Sequence, residues 1–139
     1  MWNTLAILCC LTSKLGTRNV QAVSTELLEK GVIKSLRKYT VSPGVKKLGG
    51  DEAVACHKQR YPFPMFYCHS TKQTESYVMS MKGADGEKVK VVAMCHIDTS
   101  EWNPRHSAFQ VLKVKPGTVP ICHILPEEDV VWVSNDKSA

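Results

Sequence analysis

Hydrophobic and polar residues alternate along much of the chain from about residue 18 onward. The clearest pattern is a hairpin, in which residues 77–81 and 89–94 flank the turn sequence Gly-Ala-Asp-Gly at 83–86, and lysines alternate with valines over 88–91. A period of two is typical of strands with one buried face, and a glycine-rich link of this length is typical of a hairpin loop. The sequence therefore predicts two antiparallel neighbours here.

Weaker signals come before this hairpin. Residues 18–25 and 35–41 alternate less cleanly and are predicted as strands. The sequence Glu-Leu-Leu-Glu-Lys at 26–30 favours helix, but Gly31 follows it directly. A hairpin loop and a single helical turn are both open for that segment.

The C-terminal third also reads as strands, at residues 109–114, 119–125 and 130–133, with a tight turn at 115–118. Pro104 limits any helix that begins near residue 98 to about one turn. The expected fold class is α+β but β-rich: a mostly antiparallel sheet with little helix.

Composition narrows the class of protein. With 139 residues, 43% of them hydrophobic and 22% charged, the chain suits one globular domain. No apolar run is long enough to span a membrane. The net charge of +5 is best explained by a solvated basic face, because no nucleic-acid module or interleaved aromatic residues accompany it. An anionic polysaccharide such as pectin would suit the charge equally well.

The first eleven residues include an apolar stretch over 5–11. No basic residue precedes it, and the cleavage-like sequence Val-Gln-Ala at 20–22 lies rather far away, so a working signal peptide is not expected. A buried first element is the preferred interpretation.

One dipeptide, cysteine followed by histidine, occurs four times, and these repeats use four of the six cysteines and four of the five histidines. Successive side chains of a strand point to opposite faces, so each dipeptide should present its thiol on one face and its imidazole on the other. The four dipeptides are Cys56-His57, Cys68-His69, Cys95-His96 and Cys122-His123.

The cysteines allow three states. In an oxidising compartment they would form two disulfides, with three possible pairings; otherwise they would be metal-bound thiolates or buried thiols. Disulfides are preferred, because structural zinc sites usually bring their ligands in closer couples than these.

The imidazoles point to a metal. Neutral imidazole suits copper, zinc, iron and nickel, and among the divalent ions copper has the highest affinity. Copper would permit one-electron and oxygen chemistry, whereas zinc would act only as a Lewis acid. A Cys-His nucleophile is disfavoured, since adjacent strand residues face apart. The fifth histidine, His106, is expected to cap or hydrogen-bond within its own turn, with a fifth metal ligand as the alternative.

The spacing of the four dipeptides, with ten, twenty-five and twenty-five residues between them, resembles the signature of the plant BURP domain. The phrases around them are similar to that family, and two C-terminal phrases are similar to its dehydration-responsive branch. The phrases are Tyr61-Pro62-Phe63, Phe66-Tyr67-Cys68-His69, Cys95-His96-Ile97-Asp98-Thr99-Ser100, Trp102-Asn103-Pro104-Arg105-His106, Lys113-Val114-Lys115-Pro116-Gly117 and Val130-Val131-Trp132-Val133.

This resemblance implies a secreted plant domain of the apoplast, cell wall or vacuole, linked to stress response, to seed development or to the non-catalytic β subunit of polygalacturonase. Some members are copper-dependent cyclases that cross-link a Tyr or Trp side chain of a peptide. The expected division is an atypical start at 1–11, a partial BURP domain at 12–134 that corresponds to the C-terminal portion, and a tail at 135–139.

Carried over to this chain, the resemblance makes His57, His69, His96 and His123 the copper ligands and Cys56, Cys68, Cys95 and Cys122 the disulfide candidates, with His106 as a possible extra ligand. No catalytic residue is assigned. The leading expectation is a non-enzymatic protein associated with the cell wall or stress that binds copper, with pectin or a peptide as partner. The alternative is a copper-dependent peptide cyclase.

Overall fold

The computed structural model describes residues 11–27 and 38–136. Of the expected buried first element at 1–11, residues 1–10 lie outside the described ranges, as do the end of the predicted turn at 28–30 and the start of the predicted strand at 35–37. Residues 11–15 form helix α1, and Leu11 is buried.

Within the described residues, the first sheet has four antiparallel strands. In spatial order they are β1 (Val20–Ser24), β10 (Val130–Ser134), β5 (Glu52–Lys58) and β6 (Phe66–Lys72). β10, the last strand of the described residues, therefore lies between β1 and β5, so the two ends of the described region are tied together.

The second sheet has six strands in the part of the chain that the structure describes, and they are also antiparallel. Its central order is β2 (Glu26–Leu27), β8 (Lys88–His96), β7 (Thr74–Gly83) and β3 (Tyr39–Val41); β4 (Lys46–Leu48) also pairs with β7, and β9 (Ile121–Ile124) with β8. The predicted hairpin at 77–94 is confirmed as β7 and β8.

The hydrophobic core lies between the two sheets. Alternate residues of β5 and β10 pack against alternate residues of β8, and Val92 and Val131 are completely buried. A core of this kind follows from the period of two, because only one face of each strand needs to be apolar to cover the other sheet. Its members are Leu48, Ala53, Ala55, Val92, Met94, Leu125, Val131 and Val133.

The outer face of the first sheet is covered by α1. Leu11 and Leu15 pack there against Val54, Cys56 and Trp132. The strand β5 is therefore buried on both faces over its middle, which explains its continuous apolar sequence.

One local prediction is wrong, and a second is corrected over the residues that the structure describes. Residues 109–114 do not form a strand: Ser107–Leu112 is helix α2, which begins after His106 and ends at Lys113 in the left-handed conformation. Only Phe109 of this helix is buried, so its other apolar residues gave no helical period to read. For the segment 26–30, predicted as a hairpin loop or one helical turn, only Glu26 and Leu27 are described, and they pair with β8 as a short strand.

The broad prediction of a strand-rich, mostly antiparallel fold with little helix is confirmed, as are strands at 20–24, 121–124 and 130–134. Within the described ranges, none of the helices has the length and apolar character needed to cross a membrane.

Candidate functional site

The first two Cys-His dipeptides form one unit on neighbouring strands. Cys56 of β5 lies directly opposite Cys68 of β6, with Cα atoms 4.0 Å apart, and their sulfur atoms form a disulfide. Directly opposed residues on an antiparallel pair point to the same face, so the pairing register alone brings the thiols together.

The histidines follow from the same register. When two cysteines are opposed on antiparallel strands, the residue after each lies diagonally across the pair, on the other face. His57 and His69 occupy these positions, and their Nε2 atoms are 3.1 Å apart with the rings stacked. A repeated dipeptide thus gives a disulfide on one face and an imidazole pair on the other.

The third and fourth dipeptides repeat this unit in the second sheet. Cys95 of β8 is opposite Cys122 of β9, and the two form the second disulfide. The Nε2 atoms of His96 and His123 are 3.3 Å apart, again with stacked rings. Of the three pairings open from sequence, the structure has the one that joins consecutive dipeptides.

Both imidazole pairs lie on the inner faces of the sandwich. His69 is opposite Ala55, and His123 is opposite Met94; both of these partners belong to the core between the sheets. The disulfides lie on the outer faces. The imidazoles therefore continue the inner layer of side chains between the sheets. Where this layer becomes accessible to solvent, polar side chains replace apolar ones.

The two pairs interact electrostatically. The pKa of His96 is lowered, mainly because the ring is half-buried, and further by the nearby histidines His123, His69 and His106. His69 belongs to the other pair, so the two pairs are close enough to sense each other's charge. Across residues 11–27 and 38–136, no three His, Cys, Asp or Glu side chains are grouped tightly enough to hold one ion.

A carboxylate fixes the orientation of His57. Nδ1 of His57 lies 2.8 Å from Oδ2 of the buried Asp129. Because an ionised carboxylate only accepts hydrogen bonds, Nδ1 carries the proton, and Nε2 directs its lone pair toward His69. Such a partner behind an imidazole is the usual outer shell of a metal-binding histidine.

A hydroxyl takes the same place behind His96. Nδ1 of His96 lies 3.3 Å from Oγ1 of Thr74, and that hydroxyl donates its own hydrogen to the carbonyl of Lys72. The hydroxyl is thereby left to accept from Nδ1–H, and Nε2 of His96 faces His123 with its lone pair.

His106 has the local role that the sequence suggests. It is the N-cap of α2, where Nδ1 accepts a hydrogen bond from the backbone N–H of Ala108. With Nδ1 as acceptor, the neutral ring carries its proton on Nε2 and has no free nitrogen for a metal. Trp102 lies between this ring and His96, with ring centroids 5.0 and 4.9 Å away.

An open, mostly apolar groove of about 540 Å³ adjoins the second pair. Val111 and Leu112 of α2 line one side and Ile121 lines another, and His96 and His123 also line it. This groove gives a ligand direct access to that imidazole pair.

The nitrogen spacing within each pair fits two ligands of one metal ion. For imidazole nitrogens about 2.0–2.1 Å from an ion, ligand angles between about 90° and about 109° place the two nitrogens roughly 2.9–3.4 Å apart. The observed 3.1 and 3.3 Å fall within this range. In the metal-free protein the same spacing lets one ring donate a hydrogen bond to the other, so each pair is satisfied in both states.

Sequence reasoning missed Asp129 and Thr74. Asp129 is 72 residues from His57 and follows two glutamates in a short loop, where an acidic residue suggests only solvent exposure. Thr74 begins β7 and resembles any other strand threonine. The one available signal for Asp129 was its position beside the apolar run of β10, which makes burial of a charge plausible.

Comparison with known proteins gives a consistent result. The model of the BURP domain family matches residues 5–134. BURP domain protein RD22 of Arabidopsis thaliana is 54% identical over 88% of this chain, and BURP domain-containing protein 3 of Oryza sativa subsp. japonica is 50% identical over 87%. Protein RAFTIN 1B of Triticum aestivum is 40% identical over 88%.

The chain spans about a third of the length of these relatives, namely 31%, 28% and 34% of each in turn. Activities of the full-length proteins therefore do not transfer to it directly. The family is nevertheless established by a match over nearly all of the chain: the chain belongs to the BURP domain family.

Proposed function

We propose that this domain is a copper-binding protein of the plant cell wall or of the stress response, and that the pairs His57/His69 and His96/His123 hold the metal. One observation carries the proposal: two imidazole pairs have Nε2–Nε2 distances of 3.1 and 3.3 Å, and one ring of each pair is anchored through Nδ1. Copper is favoured over the other divalent ions because its affinity for nitrogen ligands is the highest of the series.

The disulfides support a secreted location. Both connect adjacent strands on the outer faces of the sheets, and such bonds persist in oxidising compartments such as the cell wall. Copper entering there meets imidazoles and no free thiolate from the four paired cysteines.

Titration of the protein with copper tests the proposed metal binding. Protein purified under oxidising conditions is titrated with Cu(II) and then with Cu(I) against a competing chelator, and bound copper per chain is measured after gel filtration. We expect one copper ion for each imidazole pair. His57→Ala should lose the copper of its pair, and His96→Ala should lose the copper of the other pair. Metal-free wild-type protein with an intact circular dichroism spectrum would overturn the proposal.

A polysaccharide partner fits the charge. With a net charge of +5, the domain would associate with an anionic polymer such as pectin, and this association would weaken as salt screens it. Retention on immobilised pectin at low salt, and release as salt is raised, is the expected behaviour; failure to bind at low salt would contradict it.

One observation favours a second candidate, a copper-dependent peptide cyclase. The apolar groove beside His96 and His123 could receive an aromatic side chain next to a bound metal. Copper, when bound, supplies one-electron chemistry, and the residues of this chain would bind and orient the peptide. Loss of a cross-linked product in His96→Ala, with the peptide still bound, would support the enzyme proposal. Absence of any product from the copper-loaded protein would overturn the enzyme proposal, and only the copper-binding proposal would stand.

A further inference from the structure

The two imidazole pairs differ in the groups behind them. A buried carboxylate, Asp129, lies 2.8 Å from Nδ1 of His57. A neutral hydroxyl, that of Thr74, lies 3.3 Å from Nδ1 of His96. A charged acceptor forms the shorter and stronger hydrogen bond, and it also raises the basicity of the imidazole.

Asp129 is itself held in place by the strand that carries His57. Its Oδ1 accepts a hydrogen bond of 3.0 Å from the backbone N–H of Lys58, the residue after His57. Its own backbone N–H donates to the carbonyl of Pro126 at 3.1 Å. The carboxylate therefore bridges the end of β5 and the loop before β10, and its second oxygen is aimed at the imidazole.

The hydroxyl behind His96 is a weaker support. Thr74 has one hydrogen, which it donates to Lys72 O, so its oxygen can only accept from the ring. It orients His96 but adds no negative charge. A cation bound at the first pair would thus be stabilised by the carboxylate of Asp129, whereas Thr74 offers only a dipole at the second pair.

We propose that Asp129 is the positioning residue of the His57/His69 pair, and that it makes this pair the tighter of two inequivalent copper sites. The inference rests on the proposed copper binding and adds the order of filling. His57/His69 takes the first copper ion, and His96/His123, which adjoins the open groove, takes the second. The pair anchored by Asp129 serves to retain copper, and the groove-side pair is the one that exchanges it.

The size of the effect follows from other metal sites. Removing an outer-shell partner of a ligating histidine typically lowers metal affinity about 10- to 100-fold. Asp129→Asn keeps the shape and an oxygen acceptor but removes the charge. It should weaken the tighter step by a factor in that range and leave the weaker step unchanged.

The experiment compares four proteins in the same copper titration: wild type, Asp129→Asn, Thr74→Val and Glu128→Gln. Glu128 is the matched control, since it is an exposed carboxylate next to Asp129 that pairs with the Lys58 side chain instead of an imidazole. We expect two binding steps in wild type and in Glu128→Gln. In Asp129→Asn the tighter step weakens, whereas in Thr74→Val only the weaker step changes.

Three results are decisive. Equal weakening of both steps in a folded Asp129→Asn protein, or no change in either, overturns this inference while copper binding stands. A single step in wild type with one copper per chain overturns it as well. No binding by wild type overturns the proposed function and this inference together.

A metal-free measurement tests the positioning role separately. Long-range nitrogen–proton NMR spectra report which ring nitrogen of each histidine carries the proton. We expect His57 in the Nδ1–H form in wild type, and a mixture of both forms in Asp129→Asn. The Nε2–H form in wild type would contradict the assignment, whatever the copper titration shows. Circular dichroism of each variant establishes that it is folded.

Discussion

The chemical role of each histidine is set by the ring nitrogen that the fold leaves free. His57 and His96 use Nδ1 for hydrogen bonds to Asp129 and Thr74, which leaves Nε2 for their pair. His106 uses Nδ1 to cap a helix, which leaves no lone pair on the neutral ring. The same side chain therefore serves as a candidate ligand in one place and as a structural cap in another.

A substitution separates these two roles. Asn is a strong N-cap, so His106→Asn should preserve α2 and leave the copper content unchanged. His96→Ala should lose the copper held by its pair. Copper per chain, measured by atomic absorption after gel filtration, distinguishes them, and a loss in His106→Asn as large as that in His96→Ala would make His106 a ligand.

The protonation of His96 links stability to pH in the metal-free protein. Its pKa is lowered from 6.5, first by burial and then by its histidine neighbours, so between the folded and the unfolded pKa the unfolded state binds more protons. Stability should therefore be fully present above pH 6.5 and fall as the pH is lowered below it.

Thermal unfolding of chelator-treated protein from pH 8 to pH 5 measures this fall. His96→Gln should show a smaller decrease in melting temperature over the same interval than wild type. An identical pH profile in the two proteins would show that His96 is not the group responsible.

Pairs of strands are the units that turn the repeated dipeptide into a site. In each unit the register opposes two cysteines, and the following histidines then meet diagonally on the other face. Disulfide and imidazole pair are thus two consequences of one register. A shift of one residue in either strand would separate both.

Removing a disulfide tests this coupling. Replacing both cysteines of a bond by serine should lower the free energy of unfolding by roughly 3 kcal/mol, and slightly more for Cys95–Cys122, because it closes the longer loop. The separations are 12 residues for Cys56–Cys68 and 27 for Cys95–Cys122. Denaturant unfolding measures the loss.

The same variants should lose copper selectively. Cys95→Ser/Cys122→Ser frees β9 from its covalent link to β8. The copper affinity of the His96/His123 pair should therefore fall, while that of the His57/His69 pair should stay the same. Equal weakening at both pairs in a folded variant would contradict the idea of two independent units.

Sequence patterns identified some of these units and not others. The hairpin of β7 and β8 was clear because glycines punctuate it and lysines alternate with valines. Strand β5 was not, because α1 covers its second face and its apolar run lost the period of two. Strand β6 is exposed on both faces over most of its length, so it showed no alternation either.

The complete sandwich brings together what no local pattern could. The sequence predicted that the thiols and the imidazoles would lie on opposite faces of the strands, and it identified all four histidines of the two pairs. The sequence could not show that both imidazole pairs lie on inner faces. That depends on which face of one sheet packs against which face of the other. Asp129 reaches His57 only because β10 lies beside β5, 72 residues away in the chain.

The core between the sheets should therefore dominate stability. Leu125 is 1% exposed and packs with Val92 and Val131, so Leu125→Ala should lower the free energy of unfolding by about 2–5 kcal/mol. Val111 is 78% exposed, and Val111→Ala should change stability by less than about 0.5 kcal/mol. Chemical denaturation of both variants checks this, and similar losses would show that the core lies elsewhere.

The central claim is that the register of two strand pairs builds two imidazole pairs for copper. The most direct measurement is an anomalous difference map at the copper absorption edge from crystals of the copper-loaded protein. We expect one peak between Nε2 of His57 and His69 and another between Nε2 of His96 and His123. Copper bound at other residues, with neither pair occupied, would contradict it.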